Sequence, residues 1–336
     1  MSLDPRVAEA LARLPAYLGG HVLVSILALV LGLGVSFPLA LAARNRPNLR
    51  KFLLTVASVV QTVPGLALLA LFYPLLLAAS ALSDRLLGTG FSALGLVPSV
   101  LALSLYSMLP ILRNTVAGLA GIEPAIQEAA LGVGMTPNQA LLIVELPLAL
   151  PVIMAGIRTA AVWVIGTATL STPIGQTSLG NYIFTGLQTQ NWVFVLFGCA
   201  AAAALALLVD QCLGFIETGL RTRNPLSVLG GGLSLLVIVL GALMPAFAHS
   251  RATYVIGAKT FTEQYILAAL IDQRLTASGF STARREGLGS SVILDALSSG
   301  AIDVYVEYSG TLWADQLHRS DVKPREEVLA TVSKWL

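Results

Sequence analysis

Apolar residues run almost without interruption through six stretches of this chain: 17–43, 52–79, 94–112, 148–170, 192–216 and 228–248. Each is near or above the ~20 residues that cross a bilayer as a helix. The third is the least sharply bounded. Beyond residue 251 the pattern changes, with charges at regular intervals and short alternating runs. The pattern predicts an all-α polytopic membrane domain over residues 1–227, with a final transmembrane helix or anchor over 228–250. A separate α/β lobe follows over 251–336.

Within that lobe Tyr254 to Ala258 reads as a short strand. Thr260-Phe261-Thr262-Glu263 has the form of a capping box opening a helix through about Thr276. Residues 281–286 read as a second strand, and Ser290 or Ser291 as the cap of a helix that Gly300 ends. Ile302 to Glu307 alternates as a third strand, and Thr311 starts another helix. Such an order predicts a mainly parallel sheet, whose ligands bind outside the carboxyl ends of the strands.

Composition agrees with the spans. The 336 residues are 56% hydrophobic and 11% charged, with mean hydropathy +0.80, against about 25% charged in an average soluble domain. A net charge of +2 gives no reason to expect a nucleic-acid partner. Its distribution is more informative. Arg44, Arg46, Arg50 and Lys51 cluster after the first span, Arg221 and Arg223 after the fifth, and 171–191 holds no Lys or Arg. Cytoplasmic loops carry the excess of basic residues. Six alternating spans then put the N-terminus outside, the loop around Glu128 inside and residues 251–336 outside the membrane.

Several function classes are disfavoured. Cys199 and Cys212 share one span and lie ~20 Å apart along a helix, too far to bridge. His21 sits at a span start, and Asp210 and Glu217 toward the cytoplasmic end of the fifth span; they read as interface or capping positions rather than an ion-coupling site. Gly257-Ala258-Lys259-Thr260 lacks the glycine spacing and the Gly-Lys pair of a phosphate loop. No metal cluster, nucleophile–base pair or cofactor motif stands out, and no catalytic residue is assigned. Ala246-Phe247-Ala248 has the A-x-A form of a cleavage site. The long run before it and the five preceding spans favour an uncut anchor.

The loop between the third and fourth spans reads E-A-A-L-G-V-G-M-T-P-N-Q-A-L-L-I-V-E-L-P from Glu128 to Pro147. It is rich in small residues, with Pro137 as a breaker and Thr136 as the cap of the next helix. Glu128, Ala129, Ala130, Gly134, Val144, Leu146 and Pro147 resemble the cytoplasmic loop of ABC-importer permeases. The resemblance implies a binding-protein-dependent permease fold in a bacterial plasma (inner) membrane. It also implies a short coupling helix that docks into a separate cytoplasmic ABC ATPase, a second permease copy as a homodimer partner, and ATP and Mg on the ATPase rather than on this chain. Gln61-Thr62-Val63-Pro64-Gly65 and Ile174-Gly175-Gln176 through Gly180 to Phe184 resemble further stretches of that family. Gln61, Pro64, Gly175 and Gly180 are candidates for lining the pathway, with helix packing by small residues the alternative. A proline at 64 would kink its helix and free a carbonyl that needs a partner.

The strand ends of the exported lobe offer Lys259 and Thr260, then Gly289-Ser290-Ser291, then Glu307-Tyr308-Ser309-Gly310-Thr311. Helix N-termini and a lysine suit a carboxylate, and a tyrosine face suits a quaternary ammonium; a betaine carries both groups. G-A-K-T-F-T-E-Q-Y-I-L from Gly257 and D-V-Y-V-E-Y-S-G-T from Asp303 resemble the binding proteins of glycine betaine, carnitine and choline ABC importers. The resemblance implies that Lys259 and Thr311 meet a ligand carboxylate and that Tyr308 forms one wall of an aromatic cage. Ser290 and Ser291 are further candidates; Tyr265 and Trp313 read as packing residues. Only 86 residues follow residue 250, so the receptor is expected to present its first lobe and to lack most of the second. The expected function is the permease subunit of an ATP-driven importer of quaternary-ammonium osmoprotectants, fused to its receptor. An importer of another trimethylammonium compound such as ergothioneine, or a membrane-anchored solute sensor without transport, is the alternative.

Overall fold

The computed structural model describes residues 4–88, 91, 94–248 and 253–336, except for the side chains of 245–248 and Ser291. Six helices or helical stretches are long and apolar enough to cross a membrane: Pro5–Ala43, Gly65–Leu87, Leu96–Ala120, Pro137–Ile174, Trp192–Thr222 and Pro225–Met244. Each of the six runs legible in the sequence supplies one of them, with boundaries shifted.

Helix α1 (Pro5–Ala43) starts where the Asp4 carboxylate accepts the Arg6 amide hydrogen at 2.8 Å, with Pro5 in the first turn. Its buried stripe includes His21, Ser25, Ala28, Gly32, Ser36 and Ala40. Small residues at this spacing let backbones approach. A Cβ on Gly32 would sit 1.8 Å from Ser107 Oγ of α4 (Leu96–Ala120).

The second apolar run does not form one kinked helix. It divides into α2 (Pro47–Thr62) and α3 (Gly65–Leu87), with Val63 and Pro64 extended between them. The Tyr106 hydroxyl of α4 donates to the carbonyl of Val63, and Gln61 Nε2 donates to the Tyr106 carbonyl at 3.1 Å. The first bond supplies the partner that the Pro64 break requires; the second serves the α4 carbonyl that Pro110, four residues on, leaves without a donor.

Beyond α4 come the short helix α5 (Pro124–Gly132) and a single turn α6 (Pro137–Gln139). A π-helical segment (Ala140–Glu145) leads into α7 (Leu146–Thr167). A 3₁₀ stretch, Ala168–Ile174, continues it to the far side. Then α8 (Gly180–Gln188), α9 (Trp192–Thr222) and α10 (Pro225–Ala248) complete the bundle. Ala246-Phe247-Ala248 close α10, and their side chains lie outside the described residues. Cys199 and Cys212 are free, the first exposed and the second buried.

The exported lobe pairs β1 (Tyr254–Lys259) in parallel with β2 (Thr282–Leu288), joined by α11 (Thr262–Ala277). It continues through α12 (Ser290–Ser298), α13 (Ser309–Thr311), a π turn over Leu312–Gln316, and α14 (Arg325–Trp335). Three sequence expectations are corrected here. The alternating run Ile302–Glu307 makes one bridge, Ile256 to Val304, instead of a strand. Side chains take up its neighbourhood's backbone groups: Asp303 Oδ2 accepts the Val255 amide at 2.6 Å and Gln264 Nε2 donates to the Val306 carbonyl at 3.0 Å. The capping box at Thr260 does not form; Phe261 is the N-cap of α11, without a side-chain bond. Gly289, rather than Ser290 or Ser291, occupies the N-cap of α12.

Candidate functional site

Two ends of the bundle carry the groups of interest. At one end α5 lies beside the basic turn after α1, and a cleft of about 250 Å³ is lined by Arg44, Asn45, Arg50, Pro124 and Gln127. The basic cluster and the Glu128 loop therefore share a side, as the charge distribution requires. At the other end the lobe rests on the bundle, as its extracytoplasmic placement requires.

The Glu128–Pro147 segment is shaped by its backbone. Glu128 and Ala129 of α5 are exposed and Ala130 is buried. The helix ends in a left-handed turn at Gly134, φ +87°. The Gly134 amide donates to the Leu131 carbonyl at 2.9 Å and the Met135 amide to the Ala130 carbonyl at 3.1 Å. Only glycine adopts this conformation without cost. Thr136 then opens the next turn in a capping box with Gln139. Val144 faces back toward α5, closing a shallow apolar groove with Ile126, Ala129, Ala130 and Val133. Leu146 packs with Leu119, Ala149 and Ile153, and Pro147 stands in the first turn of α7. Leu131 and Val133 at the α5 end are exposed. The arrangement is a compact helix with an exposed apolar tip.

Two ion-paired groups tie this end to the bundle. Arg44 pairs with Glu145 at the end of the π segment. Deeper in, Arg158 of α7 grips Asp210 at 2.8 and 2.9 Å and Glu217 at 2.7 Å. Asp210 and Glu217 are two turns apart on α9, and Gly214 between them leaves room; a Cβ there would meet the guanidinium at 3.3 Å. Asp210 and Glu217 are thus members of a charge cluster, not capping residues. Arg158 was legible as a charge within an apolar run, but its partners sit more than fifty residues on, in another span.

At the outer end the candidate pathway glycines have structural work. Gly175 is left-handed at φ +85° and terminates the 3₁₀ stretch. Gly180 lies so close to the Thr169 carbonyl that a Cβ would come to 1.9 Å. His21 uses both ring nitrogens here. Nε2 bonds the Ile165 carbonyl at 3.0 Å and Nδ1 accepts the Leu179 amide at 3.3 Å, so the neutral ring carries its proton on Nε2. Tyr182 donates to the Ala10 carbonyl at 2.5 Å and stacks edge-on against Tyr17, Phe194 and Phe197.

The lobe is seated on this end by several bonds. Arg13 of α1 pairs with Glu286 of β2 at 3.1 Å, Tyr73 of α3 bonds Asp295 of α12, and Thr262 donates to the Gln188 carbonyl at 2.8 Å. The Gly289 amide donates to the Pro173 carbonyl at 3.3 Å. Leu94 and Tyr73 of the bundle pack into one apolar cluster with Leu288, Val292 and Ile293 of the lobe. The carboxyl end of β2 therefore abuts the Pro173–Gly175 turn. Burial pushes the Asp295 carboxyl above the usual range. The Tyr265 phenol, buried and near Glu286, is pushed up to about 12.

The strand-end residues meet in part. Lys259 is fully buried; its ammonium pairs with Glu307 and lies 5.8 Å from the Tyr308 ring centroid and 6.0 Å from that of Tyr305. Glu307 also accepts the Tyr305 hydroxyl and the Tyr308 amide, both at 2.7 Å. Burial, with Glu307 second, pushes the Tyr305 phenol up. Tyr308 donates to Glu263 at 3.2 Å. Lys259 and Tyr308 thus share one corner, and Glu307, unassigned in the sequence reading, organises it. Thr311 closes the short helix after Tyr308, half-buried. Ser290 stands at the start of α12 beside the bundle, and the Ser291 side chain lies outside the described residues. Trp313 is buried against Leu312, Val332 and Val328, as a packing residue. Among the described residues no group of three or more His, Cys, Asp or Glu is placed to hold a metal.

Residues 11–222 match the family model described as binding-protein-dependent transport system inner membrane component. The chain belongs to that family. Residues 252–334 match a second model, the substrate binding domain of ABC-type glycine betaine transport system. The permease part is 39% identical to the choline transport system permease protein OpuBB of Bacillus subtilis over 197 residues, covering 59% of this chain and 83% of that protein. It is likewise 39% identical to the glycine betaine/carnitine/choline transport system permease protein OpuCB of Bacillus subtilis over 199 residues, 59% of this chain and 84% of that one. A third relative, the ergothioneine transport permease/ergothioneine binding protein EgtU of Helicobacter pylori, is 31% identical over 283 residues, 80% of this chain and 48% of EgtU. Among solved structures, the inward-facing MetNI methionine ABC transporter superposes with TM-score 0.54 at 18% identity, over 65% of this chain and 99% of that one; that likeness concerns the fold.

The chain is therefore a multi-pass membrane permease of the binding-protein-dependent type that carries substrate-binding-domain sequence. In this permease the sequence reading missed Arg13, Tyr106, Arg158, Glu286 and Glu307. Two had a usable signal: Arg158, a lone charge in one span, opposite in sign to two charges in another, and Glu307, within the strand-end motif of Tyr308.

Proposed function

We propose that this permease is the transmembrane subunit of an ATP-driven importer for quaternary-ammonium solutes of the glycine betaine, carnitine and choline class. Energy comes from a separate cytoplasmic ATPase that receives α5, and a second permease copy completes the pathway. The observation that carries the reading is a single chain with an exposed coupling helix at one end and, at the other, a betaine-type lobe seated against Pro173–Gly175. A ligand held at the strand ends is released beside the outer turn of the bundle, and a movement of α5 reaches α1 and α9 through Arg44–Glu145 and Arg158–Asp210. Lys259, Tyr308, Thr311 and Ser290 are the residues proposed to touch the ligand, Glu128 through Gly134 with Val144, Leu146 and Pro147 those proposed to meet the ATPase.

The fused order of permease and receptor is shared with EgtU along most of this chain, which supports ergothioneine, a trimethylammonium compound, as the second reading. Uptake into proteoliposomes holding the permease and its ATPase decides between them. ATP-dependent accumulation of glycine betaine or choline, outcompeting ergothioneine, is the expected result. Preferential ergothioneine uptake would establish the second reading, and ATP-independent or absent uptake of all of them would refute the importer.

A further inference from the structure

One cavity, of about 530 Å³, is used neither by the coupling surface nor by the strand ends. It lies where the lobe meets the bundle. Glu9 and Arg13 of α1 and Phe194 of α9 form one wall; Tyr265, Ile266 and Leu270 of α11, with Arg284 and Glu286 of β2, form the other.

Its chemistry is bipolar. Glu286 accepts Arg13 on one oxygen at 3.1 Å and Arg284 on the other at 3.3 Å, while Arg13 also holds Glu9 at 2.6 Å. Two guanidinium groups and two carboxylates thus alternate across the cavity, and Arg284 also pairs with Asp272, outside the lining, at 3.5 Å. A net anion meets repulsion here, and a simple cation leaves the guanidinium groups unused; a zwitterion fits both. The Tyr265 hydroxyl is buried on the cavity wall, with Thr185 beside it. Ile266 and Leu270 are each more than half exposed and one helical turn apart, so one rim is apolar.

Depth identifies the source of such a ligand. Arg13 and Arg44 are about 46 Å apart along α1, and Trp192 and Arg221 about 44 Å along α9, at 1.5 Å per residue. A bilayer with its headgroups is ~40–45 Å thick. With Arg44 and Arg221 at the inner surface, Arg13 and Trp192 reach the outer headgroups. Trp192 is exposed there, as interfacial tryptophans are.

We propose that this cavity binds an outer-leaflet phospholipid with a zwitterionic headgroup bearing a primary ammonium, of the phosphatidylethanolamine type. The phosphate takes Arg13, Arg284 and the Tyr265 hydroxyl, the ammonium takes Glu9, and the acyl chains leave past Ile266 and Leu270. The lipid then fills the joint between lobe and bundle.

The test is lipid retention by the full chain, extracted in mild detergent from vesicles of equal phosphatidylethanolamine, phosphatidylcholine and phosphatidylglycerol and weighed by native mass spectrometry. One phosphatidylethanolamine per chain is expected, with about tenfold weaker retention in Glu9→Gln and Arg284→Ala, corresponding to ~1.4 kcal/mol. Glu9 is half exposed, so its variant reports on the site without loss of folding. Ile266→Glu is expected to release the lipid as well. Equal retention of the three lipids, or unchanged retention in Glu9→Gln and Arg284→Ala, would overturn the proposal. Binding of soluble glycerophosphoethanolamine that survives Ile266→Glu, with no lipid retained by the unmodified chain, would assign the site to a dissolved zwitterion and also overturn it.

Discussion

The guanidinium of Arg44, at the end of α1, lies on the carboxylate of Glu145, at the end of the π segment that follows α5 and α6. Glu145 is buried and its second oxygen has no partner. Removing the cation therefore strands a buried charge, at a cost of about 3–5 kcal/mol. Arg44→Met is expected to lower the melting temperature of the purified permease markedly, and Arg44→Met with Glu145→Leu to recover most of it. Glu145→Gln, which removes the charge but keeps the shape, should cost less than Arg44→Met. Melting in one detergent ranks the three; the opposite order would mean that the pair is not what joins α1 to the Glu128–Pro147 segment.

Gly134 separates backbone from side-chain effects. Nothing lies within 4 Å of a Cβ placed there, yet φ is +87°. Gly134→Ala thus meets no clash, and its cost is the left-handed conformation alone, about 1–2 kcal/mol. The expected outcome is an intact bundle by melting, with weaker stimulation of the partner ATPase and a partial return in Gly134→Asn, which tolerates that region better. Full stimulation in Gly134→Ala would show that the turn does not position α5.

Legibility in the sequence followed the range of the interaction. Apolar runs report membrane spans because the bilayer imposes its thickness on consecutive residues. Pro64 signalled a kink, but the complete break depends on Tyr106, 43 residues away, capping the Val63 carbonyl. Ile302–Glu307 has the period of a strand, yet Asp303, Gln264 and Glu307 take the neighbouring backbone groups, and periodicity carries no record of that competition. Gly175 and Gly180 were visible as small residues, whereas a positive φ in one and a carbonyl against the other are tertiary facts. Lys259 and Tyr308 were placed at strand ends from local pattern; the carboxylate joining them, Glu307, was visible in the same motif, but its three donors come from three positions.

Arg158 forms a fork on Asp210 and a single bond to Glu217 across two spans. Lysine cannot reproduce the fork. Arg158→Lys is expected to destabilise by about 1–2 kcal/mol and Arg158→Met by about 3 kcal/mol, since the latter leaves two carboxylates unpaired in the bundle. Arg158→Met with Asp210→Asn and Glu217→Gln should regain stability. If α7 and α9 move together in transport, the triple variant folds but transports more slowly per molecule of ATP, measured as the ratio of uptake to hydrolysis. An unchanged ratio would make the cluster a matter of folding alone.

Glu307 already balances the charge of the Lys259 ammonium that a ligand carboxylate would meet. Glu307→Gln keeps an acceptor for the Tyr308 amide, turns an NH₂ toward the Tyr305 hydroxyl, which can accept it, and releases the lysine charge. The expected result is a shift in preference toward glycine betaine over choline, which lacks a carboxylate, by about tenfold, equivalent to ~1.4 kcal/mol. Calorimetry with both ligands on the same sample reads the ratio. No shift, with the lobe still folded, would mean that Lys259 serves Glu307 and not the ligand.

Asp295 gives the joint between lobe and bundle a pH dependence. Burial raises its carboxyl above the usual range, so the docked state favours the protonated form. Its contribution is fully present below the ordinary carboxylate pKa and is lost as pH rises through the raised value. The Asp295→Asn amide is neutral at every pH and still accepts the Tyr73 hydroxyl. That variant is therefore expected to match the unmodified permease in acid and to exceed it in melting temperature at neutral pH. The other ion pair across the joint, Arg13 with Glu286, is common to both proteins and cancels in the difference. A difference that does not change between acid and neutral pH would show that Asp295 is charged in the docked state and that Tyr73 alone holds it.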